Sequence, residues 1–179
     1  NNAHSLIFHL GMSGRLKINN ASFVRKKHDH IIIFFDNDSI LIFNDQRKFG
    51  FIDISLTSEL NDKKYIKNIG VDALSKDLKA KFLLNRISKS NVVIKQILLN
   101  QKIISGIGNI YASEILFDAK LSPLTLGKCL NITQTQQLIK SIRKILRKAI
   151  KYGGSSIRNY KSADGTLGNF QSNFKVYGK

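Results

Sequence analysis

The stretch that most constrains this fold is residues 95–123, KQILLNQKIISGIGNIYASEILFDAKLSP. Apolar residues recur at helical spacing on both sides of the short glycine-containing segment SGIGN, and the second run closes before Pro123. The pattern predicts two helices joined by a tight turn, a helix-turn-helix-like unit. Any fold proposed for the chain must accommodate this unit.

The turn has a chemical property of its own. A second helix that starts here opens with unpaired backbone N–H groups and the positive end of its dipole, which suits a phosphate. Gly106 and Gly108 let the backbone approach a ligand closely, and Asn109 can either cap the helix or offer its amide to a phosphate oxygen. An ordinary helical hairpin has the same spacing. Spacing alone leaves both interpretations open.

Charge favours the phosphate interpretation. The 179 residues contain 29 Lys and Arg against 12 Asp and Glu, a formal net charge of +17. Such an excess predicts a polyanionic partner, and we expect nucleic acid rather than a membrane because no stretch is apolar enough to span a bilayer. The single cysteine, Cys129, excludes an internal disulfide and cannot make a zinc site alone; we predict that it is a small buried hydrophobe.

The first part of the chain has the pattern of antiparallel strands. Alternating runs at 5–10 and 15–18 precede a predicted hairpin of two largely buried strands at 31–35 and 40–43. The glycine turn between the first two runs carries Met12, which either wedges between bases or folds onto the core. The pattern therefore predicts a sheet with a methionine-bearing loop.

Two further segments of this part combine basic with aromatic or imidazole side chains. His28, Asp29 and His30 suggest a metal or a general base, but no further ligand lies nearby, so we favour a phosphate hydrogen bond from His28. In the loop after the hairpin, Arg47 can bind phosphate or an orphaned base and Phe49 can stack into a gap in a duplex. A plain surface loop with its phenylalanine tucked under is the alternative.

Apolar residues thin out between 57 and about 81, which predicts a domain boundary, and helices follow. After Pro123, Thr133 is the predicted N-cap of a helix that runs to a glycine stop at 153–154. A polar loop and a strand over 169–177 are predicted to end the sequence. One face of the long helix is basic and is either a DNA-facing stripe or a solvated surface; its cations are Lys140, Arg143, Lys144, Arg147, Lys148 and Lys151.

Five motifs in this order resemble the formamidopyrimidine-DNA glycosylases, bacterial enzymes that remove 8-oxoguanine and ring-opened purines from DNA. They are HLGMSGRL at 9–16, KHDH at 27–30, DQRKFG at 45–50, GIGNIYASEILFDAKLSP at 106–123 and GGSSIRNYKSADGTLGNFQSNFKVYGK at 153–179. The resemblance covers essentially the whole chain. The methionine-bearing loop distinguishes it from the related endonuclease VIII and favours oxidised purines as substrates.

The resemblance implies an α+β fold. Residues 1–56 would be the C-terminal part of an antiparallel β-sandwich domain, 57–80 a linker, 81–152 a helix-two-turn-helix domain, and 153–179 the lesion-recognition loop with the lead-in to a zinc ribbon.

It also implies roles for individual residues. Met12, Arg47 and Phe49 would fill the hole left when a damaged base is flipped out of the duplex. The implied DNA contacts are His28, Arg47, Lys89, Lys95, Asn109 and Tyr177. The loop that closes over the lesion would include Ser155, Ser156, Arg158 and Tyr160.

Complete family members are bifunctional glycosylases and abasic-site lyases with an N-terminal Pro-Glu, whose proline amine is the nucleophile, and a four-cysteine zinc ribbon. No residue here matches these parts, so we expect no catalytic residue and no metal in this chain, which would be a fragment inactive by itself. The expected partner is duplex DNA with an oxidised purine or an abasic site, bound by a monomer in the bacterial cytoplasm, at the nucleoid. A non-catalytic module that binds damaged DNA and a basic RNA-binding protein are the alternatives.

Overall fold

The computed structural model describes residues 3–20, 23–155 and 168–178. Residues up to Lys63 form a first compact unit, and residues 64–155 together with 169–178 form a second. The boundary falls inside the segment 57–80 that the sequence predicts as a linker. That segment begins with a 3₁₀ helix, Thr57–Asp62.

The first unit contains two antiparallel sheets. In one sheet β1 pairs with β5, and in the other β4 lies between β2 and β3. This confirms the predicted antiparallel strands. The strands are β1 (His4–His9), β2 (Gly14–Asn20), β3 (Asp29–Phe34), β4 (Ser39–Asp45) and β5 (Phe51–Leu56).

The core of this unit is built on β4. Ile40, Ile42 and Phe43 are buried, and the Phe8 and Phe43 ring centroids lie 6.4 Å apart, so the two sheets touch. The prediction of two largely buried hairpin strands is right for β4 and wrong for β3. Among the described strands, β3 pairs with β4 alone and so lies at the sheet edge, and Phe34 there is 71% exposed.

The second unit is mainly helical. Strands β6 and β7 form a short parallel pair, and the helices pack around one large apolar cluster. The elements, in chain order, are α1 (Lys64–Lys67), β6 (Val71–Asp72), α2 (Ala80–Ile87), α3 (Ile94–Leu99), β7 (Ile104–Ser105), α4 (Asn109–Asp118) and α5 (Ile132–Lys151). The predicted pair of helices joined by a glycine-containing turn is α3 and α4.

Helical periodicity explains this core. Leu83 and Ile87 of α2 are four residues apart and fully buried, and so are Leu138 and Ile142 of α5. The facing sides of α2, α4 and α5 therefore meet in one apolar cluster. Among the described residues, no helix has both the length and the apolar character needed to cross a membrane.

The start of α5 corrects a prediction. Asn131, not Thr133, is its N-cap: the Asn131 side chain accepts the Gln134 N–H (2.9 Å), and the Gln134 side chain accepts the Asn131 N–H (3.0 Å). Both residue types can cap, and each has a glutamine three residues later, so the local pattern does not choose between them; the structure forms the capping box at Asn131 and Gln134.

Two other predictions are wrong. The segment predicted as a strand over 169–177 contains a 3₁₀ helix, Phe170–Asn173, because Phe170 and Phe174 bury together against Ala149. Cys129 is exposed rather than buried, since it ends a short 3₁₀ turn in which Gly127 takes the buried position.

Candidate nucleic-acid interface

The residues predicted to fill a gap in DNA come from two neighbouring loops of the first unit. Met12 lies in the loop between β1 and β2, and Arg47 and Phe49 lie in the loop between β4 and β5. Because β1 pairs with β5 and β2 pairs with β4, both loops emerge at the same end of the paired strands.

One buried carboxylate joins the two loops. Asp45, the last residue of β4, is 1% exposed. Its Oδ1 accepts hydrogen bonds from the Ser13 hydroxyl and the Arg47 N–H, and its Oδ2 accepts the Gly50 N–H at 2.8 Å. The loop of Met12 is therefore fixed against the loop of Arg47 and Phe49. Sequence reasoning missed Asp45, although an acid at a strand end before a glycine loop is a recognisable signal.

These hydrogen bonds set the charge of Asp45. The hydrogen bond from the Ser13 hydroxyl lowers the pKa of the carboxyl group, and burial raises it. Hydrogen bonds from the N–H groups of Gly50, Arg47 and Lys48 lower the pKa further. The net pKa lies below the ordinary value, so the carboxylate is ionised at neutral pH. A charged acceptor makes each of these hydrogen bonds stronger than a neutral one.

The side chains of Met12, Arg47 and Phe49, on the two loops that Asp45 joins, form a cluster. The Arg47 Nη1 lies 3.4 Å from the Met12 Sδ, and the Arg47 Cζ lies 4.8 Å from the Phe49 ring centroid, in cation–π geometry. Met12 is 74% exposed and Phe49 56% exposed. These exposures rule out a Met12 folded onto the core and a Phe49 tucked under its loop. We call Met12, Arg47 and Phe49 the apical cluster.

The backbone under the cluster requires a glycine. Gly11 has a φ of +57°, and a Cβ placed there would lie 2.8 Å from the Phe49 carbonyl carbon. Any side chain at position 11 would push the two loops apart. Lys48, between Arg47 and Phe49, also has a left-handed conformation (φ 57°), which is uncommon for a residue other than glycine.

The backbone of His28 is hydrogen-bonded to the backbone of Asp45. The His28 carbonyl accepts the Asp45 N–H (3.1 Å), and the His30 Nε2 lies 2.7 Å from the Asp45 carbonyl oxygen. The turn of His28 is held by buried Asp29, which accepts the Lys26 N–H and the Asn44 amide, each at 2.8 Å. Asp45 therefore organises His28 together with the apical cluster. The described residues contain no group of three potential metal ligands.

The second unit presents the predicted phosphate site at the start of α4. The N-cap is Gly108, and no side chain caps the helix among the described residues. Asn109 follows the N-cap as the first helical residue, and its side chain is exposed. Nothing in the described structure lies within 4 Å of a Cβ placed at Gly106 or Gly108, which leaves room for a ligand to approach the backbone.

Gln101, which sequence reasoning missed, holds this turn. Its Oε1 accepts the Gly106 N–H (2.9 Å), and its Nε2 donates to the carbonyls of Ile107 (2.9 Å) and Leu99 (3.2 Å). One side chain thereby connects the end of α3 to the turn before α4. No sequence pattern distinguishes this glutamine from any other surface glutamine.

Glu114, also missed, fixes the end of the described chain to α4. It is 2% exposed, and its carboxylate accepts three backbone N–H groups, from Lys175 (2.9 Å), Val176 (3.0 Å) and Tyr177 (2.9 Å). Tyr177 is thereby held against the helix that Asn109 begins. The sequence signal that could have identified Glu114 is an acidic residue within the apolar run of α4.

The other predicted residues of this unit are distributed around α4. Lys95, near the start of α3, lines a cleft of about 240 Å³ with Val176, beside the segment of Tyr177. Lys89 lies exposed in the turn between α2 and α3, outside that cleft. The Ser155 Oγ lies 2.9 Å from the Tyr111 hydroxyl of α4. The other predicted loop residues, Ser156, Arg158 and Tyr160, lie outside the described residues.

Two family models match the sequence. Residues 1–52 match the formamidopyrimidine-DNA glycosylase N-terminal domain, and residues 69–161 match the formamidopyrimidine-DNA glycosylase H2TH domain. The first match includes the apical cluster, and the second includes Gln101, Asn109 and Glu114.

Individual proteins agree with these models. A formamidopyrimidine-DNA glycosylase from Zymomonas mobilis is 44% identical over 98% of this chain and 64% of its own length. A Lactococcus lactis Fpg in complex with DNA containing an abasic site is 39% identical with a TM-score of 0.89, and an FPG mutant from the same organism in complex with Fapy-dG containing DNA is 38% identical with the same TM-score. Each structural match covers 98% of this chain and 64% of the other, so the chain spans less than two thirds of the relatives it matches.

Proposed function

This chain belongs to the formamidopyrimidine-DNA glycosylase family, and from that premise we propose that it serves base-excision repair by binding duplex DNA at an oxidised purine or an abasic site. The DNA-bound complexes of Lactococcus lactis relatives, with an abasic site and with Fapy-dG, support this choice of partner. For the whole protein we propose excision of 8-oxoguanine and formamidopyrimidines followed by cleavage at the abasic site, in the bacterial cytoplasm and with the protein as a monomer.

The apical cluster carries the proposal. Removing a base from a duplex leaves a gap bordered by two stacked base pairs and an unpaired partner base. The Met12 thioether and the Phe49 ring supply apolar volume for that gap, and the Arg47 guanidinium supplies donors for the unpaired base or a phosphate. Because Asp45 fixes both loops before binding, little conformational entropy is lost when the cluster enters DNA.

The backbone contacts are the second part of the proposal. The open start of α4 with Asn109 binds a phosphate, and Lys89, Lys95, Tyr177 and His28 add further backbone contacts. Phosphate contacts position a protein on the duplex without reading damage. We therefore assign damage preference to the apical cluster and overall affinity to these residues.

The residues of this chain do not fit a structural zinc ion. The four-cysteine ribbon that the resemblance implies for complete family members does not fit this chain, whose one cysteine is Cys129.

The test is DNA binding measured by fluorescence anisotropy with two duplexes, one undamaged and one with a tetrahydrofuran abasic analogue. We expect Phe49→Ala to reduce the preference for the abasic duplex by about tenfold, because aromatic stacking on a base is worth roughly 1–3 kcal/mol. Asn109→Ala should weaken binding to both duplexes equally. Phe34→Ala is the matched control, since Phe34 is an exposed phenylalanine of the same unit outside the cluster. An unchanged preference in Phe49→Ala would contradict the proposal.

A further inference from the structure

A strongly basic groove lies on the second unit, between the turn that precedes α2 and one face of α5. Its volume is about 670 Å³. Ten of the described residues line it, of which six are cations and none is acidic. The cations are Lys76, Lys79, Lys140, Arg143, Lys144 and Arg147.

The groove is built into the fold. The Arg143 Nη2 donates to the Ser75 carbonyl (3.2 Å) and to the Leu78 carbonyl (3.0 Å), which ties the turn to α5. Leu78 and Ile139, at 0% and 5% exposure, anchor the two walls in the core. The separation of the walls is therefore fixed before any ligand arrives.

Most of the charge in the groove is uncompensated. Lys144 pairs with Asp118 at the end of α4. Within the described residues, no ion pair involves Lys76, Lys79, Lys140 or Arg147. Burial raises the pKa of Asp118, but hydrogen bonds from Lys144 and Ser141 and the charges of Lys144 and Lys140 together outweigh it, so the pKa lies below its ordinary value. Counting Asp118 and also Asp77, which lies in the same turn as Lys76 and Lys79, the six cations leave a local charge of about +4.

The groove is separate from the phosphate site at Asn109. Asp118, whose carboxylate touches the groove through Lys144, is the last residue of α4, and Asn109 is the first. With a rise of 1.5 Å per residue, the two ends of α4 are about 14 Å apart. A phosphate bound at Asn109 therefore does not occupy this groove.

The lining chemistry suits a phosphate backbone rather than bases. None of the described residues that line the groove is aromatic, so these residues offer no surface on which a base could stack. Lys140, Lys144 and Arg147 follow one another along α5 at intervals of about 6 Å and 4.5 Å. A row of flexible cations along a rigid helix matches a linear polyanion and carries no sequence information.

We propose that this groove binds the phosphodiester backbone of a segment of duplex DNA other than the one held at Asn109, independently of sequence and of damage. The contact holds the protein on undamaged DNA, where the search for a lesion takes place. It goes beyond the proposed function, because the apical cluster recognises damage and this groove does not.

The test removes the unpaired cations of the groove. The variant Lys76→Gln/Lys79→Gln/Lys140→Gln/Arg147→Gln leaves Arg143 and the Lys144 ion pair in place, so that the walls keep their ties. Affinity for an undamaged 25-base-pair duplex is measured over a series of salt concentrations. With a slope of about −0.9 per phosphate contact, we expect the salt slope to become less steep by about two to four units and the affinity to fall at least about tenfold.

The matched control changes the same charge elsewhere on the same unit, in Lys64→Gln/Lys67→Gln/Lys81→Gln/Lys128→Gln. These lysines are exposed and lie outside the groove. If the salt slope of the control variant falls as much as that of the groove variant, the proposal is overturned, because the effect would then come from net charge. Amide chemical-shift changes of Lys79, Ile139 and Lys140 in the wild-type chain on addition of the duplex test the site without any substitution, and their absence would also overturn it.

Two further outcomes separate this proposal from the proposed function. The groove variant should keep the wild-type preference for an abasic-analogue duplex over an undamaged one; loss of that preference would place the groove in the lesion site and refute a damage-independent role. Stronger groove-dependent binding to phosphatidylserine vesicles than to duplex DNA would refute DNA as the occupant. Failure of Phe49→Ala to change damage preference would leave the groove proposal standing.

Discussion

The two units bury very different amounts of apolar surface. Among the described residues, the sheet unit has three buried hydrophobic side chains and the helical unit has twenty-one. Exposed large hydrophobic side chains show the reverse order, with twelve in the sheet unit and seven in the helical unit. Because hydrophobic burial is the main favourable term in folding, the helical unit carries most of the stability of these residues.

Despite this difference, each unit fixes its candidate interface with a buried carboxylate that accepts backbone N–H groups. Asp45 does so for the apical cluster, and Glu114 does so for the segment of Tyr177. In the helical unit the carboxylate adds to a large core, whereas in the sheet unit it is the main connection between two exposed loops. The comparison teaches that loops carrying exposed apolar side chains need polar ties, because their own side chains contribute little burial.

The largest expected effect tests the difference in core size. Leu83→Ala, in the centre of the helical core, should lower the free energy of unfolding by about 2–5 kcal/mol, since it leaves a cavity at a fully buried site. Ile54→Ala, at a 63% exposed site of the sheet unit, should change it by less than about 0.5 kcal/mol. Urea unfolding followed by circular dichroism at 222 nm measures both. Equal effects would remove the basis of the comparison.

A smaller effect is expected at Glu114. In Glu114→Gln one oxygen still accepts the Val176 and Tyr177 N–H groups, but the partner of the Lys175 N–H is lost, at a cost of about 1–3 kcal/mol. Amide hydrogen exchange should therefore accelerate most at Lys175. Gln101→Ala, which releases the turn before α4 instead, is the control. Uniform acceleration across α4 and α5 would mean that Glu114 supports the whole core rather than this segment.

The smallest effect concerns Asp45 and pH. The pKa of Asp45 in the folded chain lies below the unfolded value of about 3.9. Its contribution to the free energy of unfolding is therefore fully present at a pH above that value and is lost as the pH falls through the folded-state pKa. The Gly50 amide resonance should move in that acid range in the wild-type chain and stay fixed in Asp45→Asn. A Gly50 resonance that titrates identically in both proteins would show that another group controls the loops.

The local features of this fold were predictable from the sequence. Helical spacing and the glycine turn predicted α3 and α4, and alternation predicted the antiparallel strands, because these signals depend on residues close together in the chain. The errors lie where two local signals compete. Thr133 and Asn131 can both cap a helix, and the aromatic residues of 169–177 suit a strand as well as a helical turn that packs on Ala149.

The partners of the two carboxylates that organise the interfaces were not predictable. The Ser13 partner of Asp45 is 32 residues away along the chain, and the partners of Glu114 are 61 to 63 residues away. No periodic pattern links residues at such separations. The exposure of Phe34 is a similar case, since it depends on the position of β3 at the sheet edge.

The most direct test of the central claim is tryptophan fluorescence at the apical cluster. The chain contains no tryptophan, so Phe49→Trp introduces a single reporter and Phe34→Trp a matched one outside the cluster. If the cluster enters the gap in a duplex, emission from Phe49→Trp is quenched on saturation with the abasic-analogue duplex and not with the undamaged duplex, and emission from Phe34→Trp is unchanged with both. Saturated binding without quenching in Phe49→Trp would contradict the account.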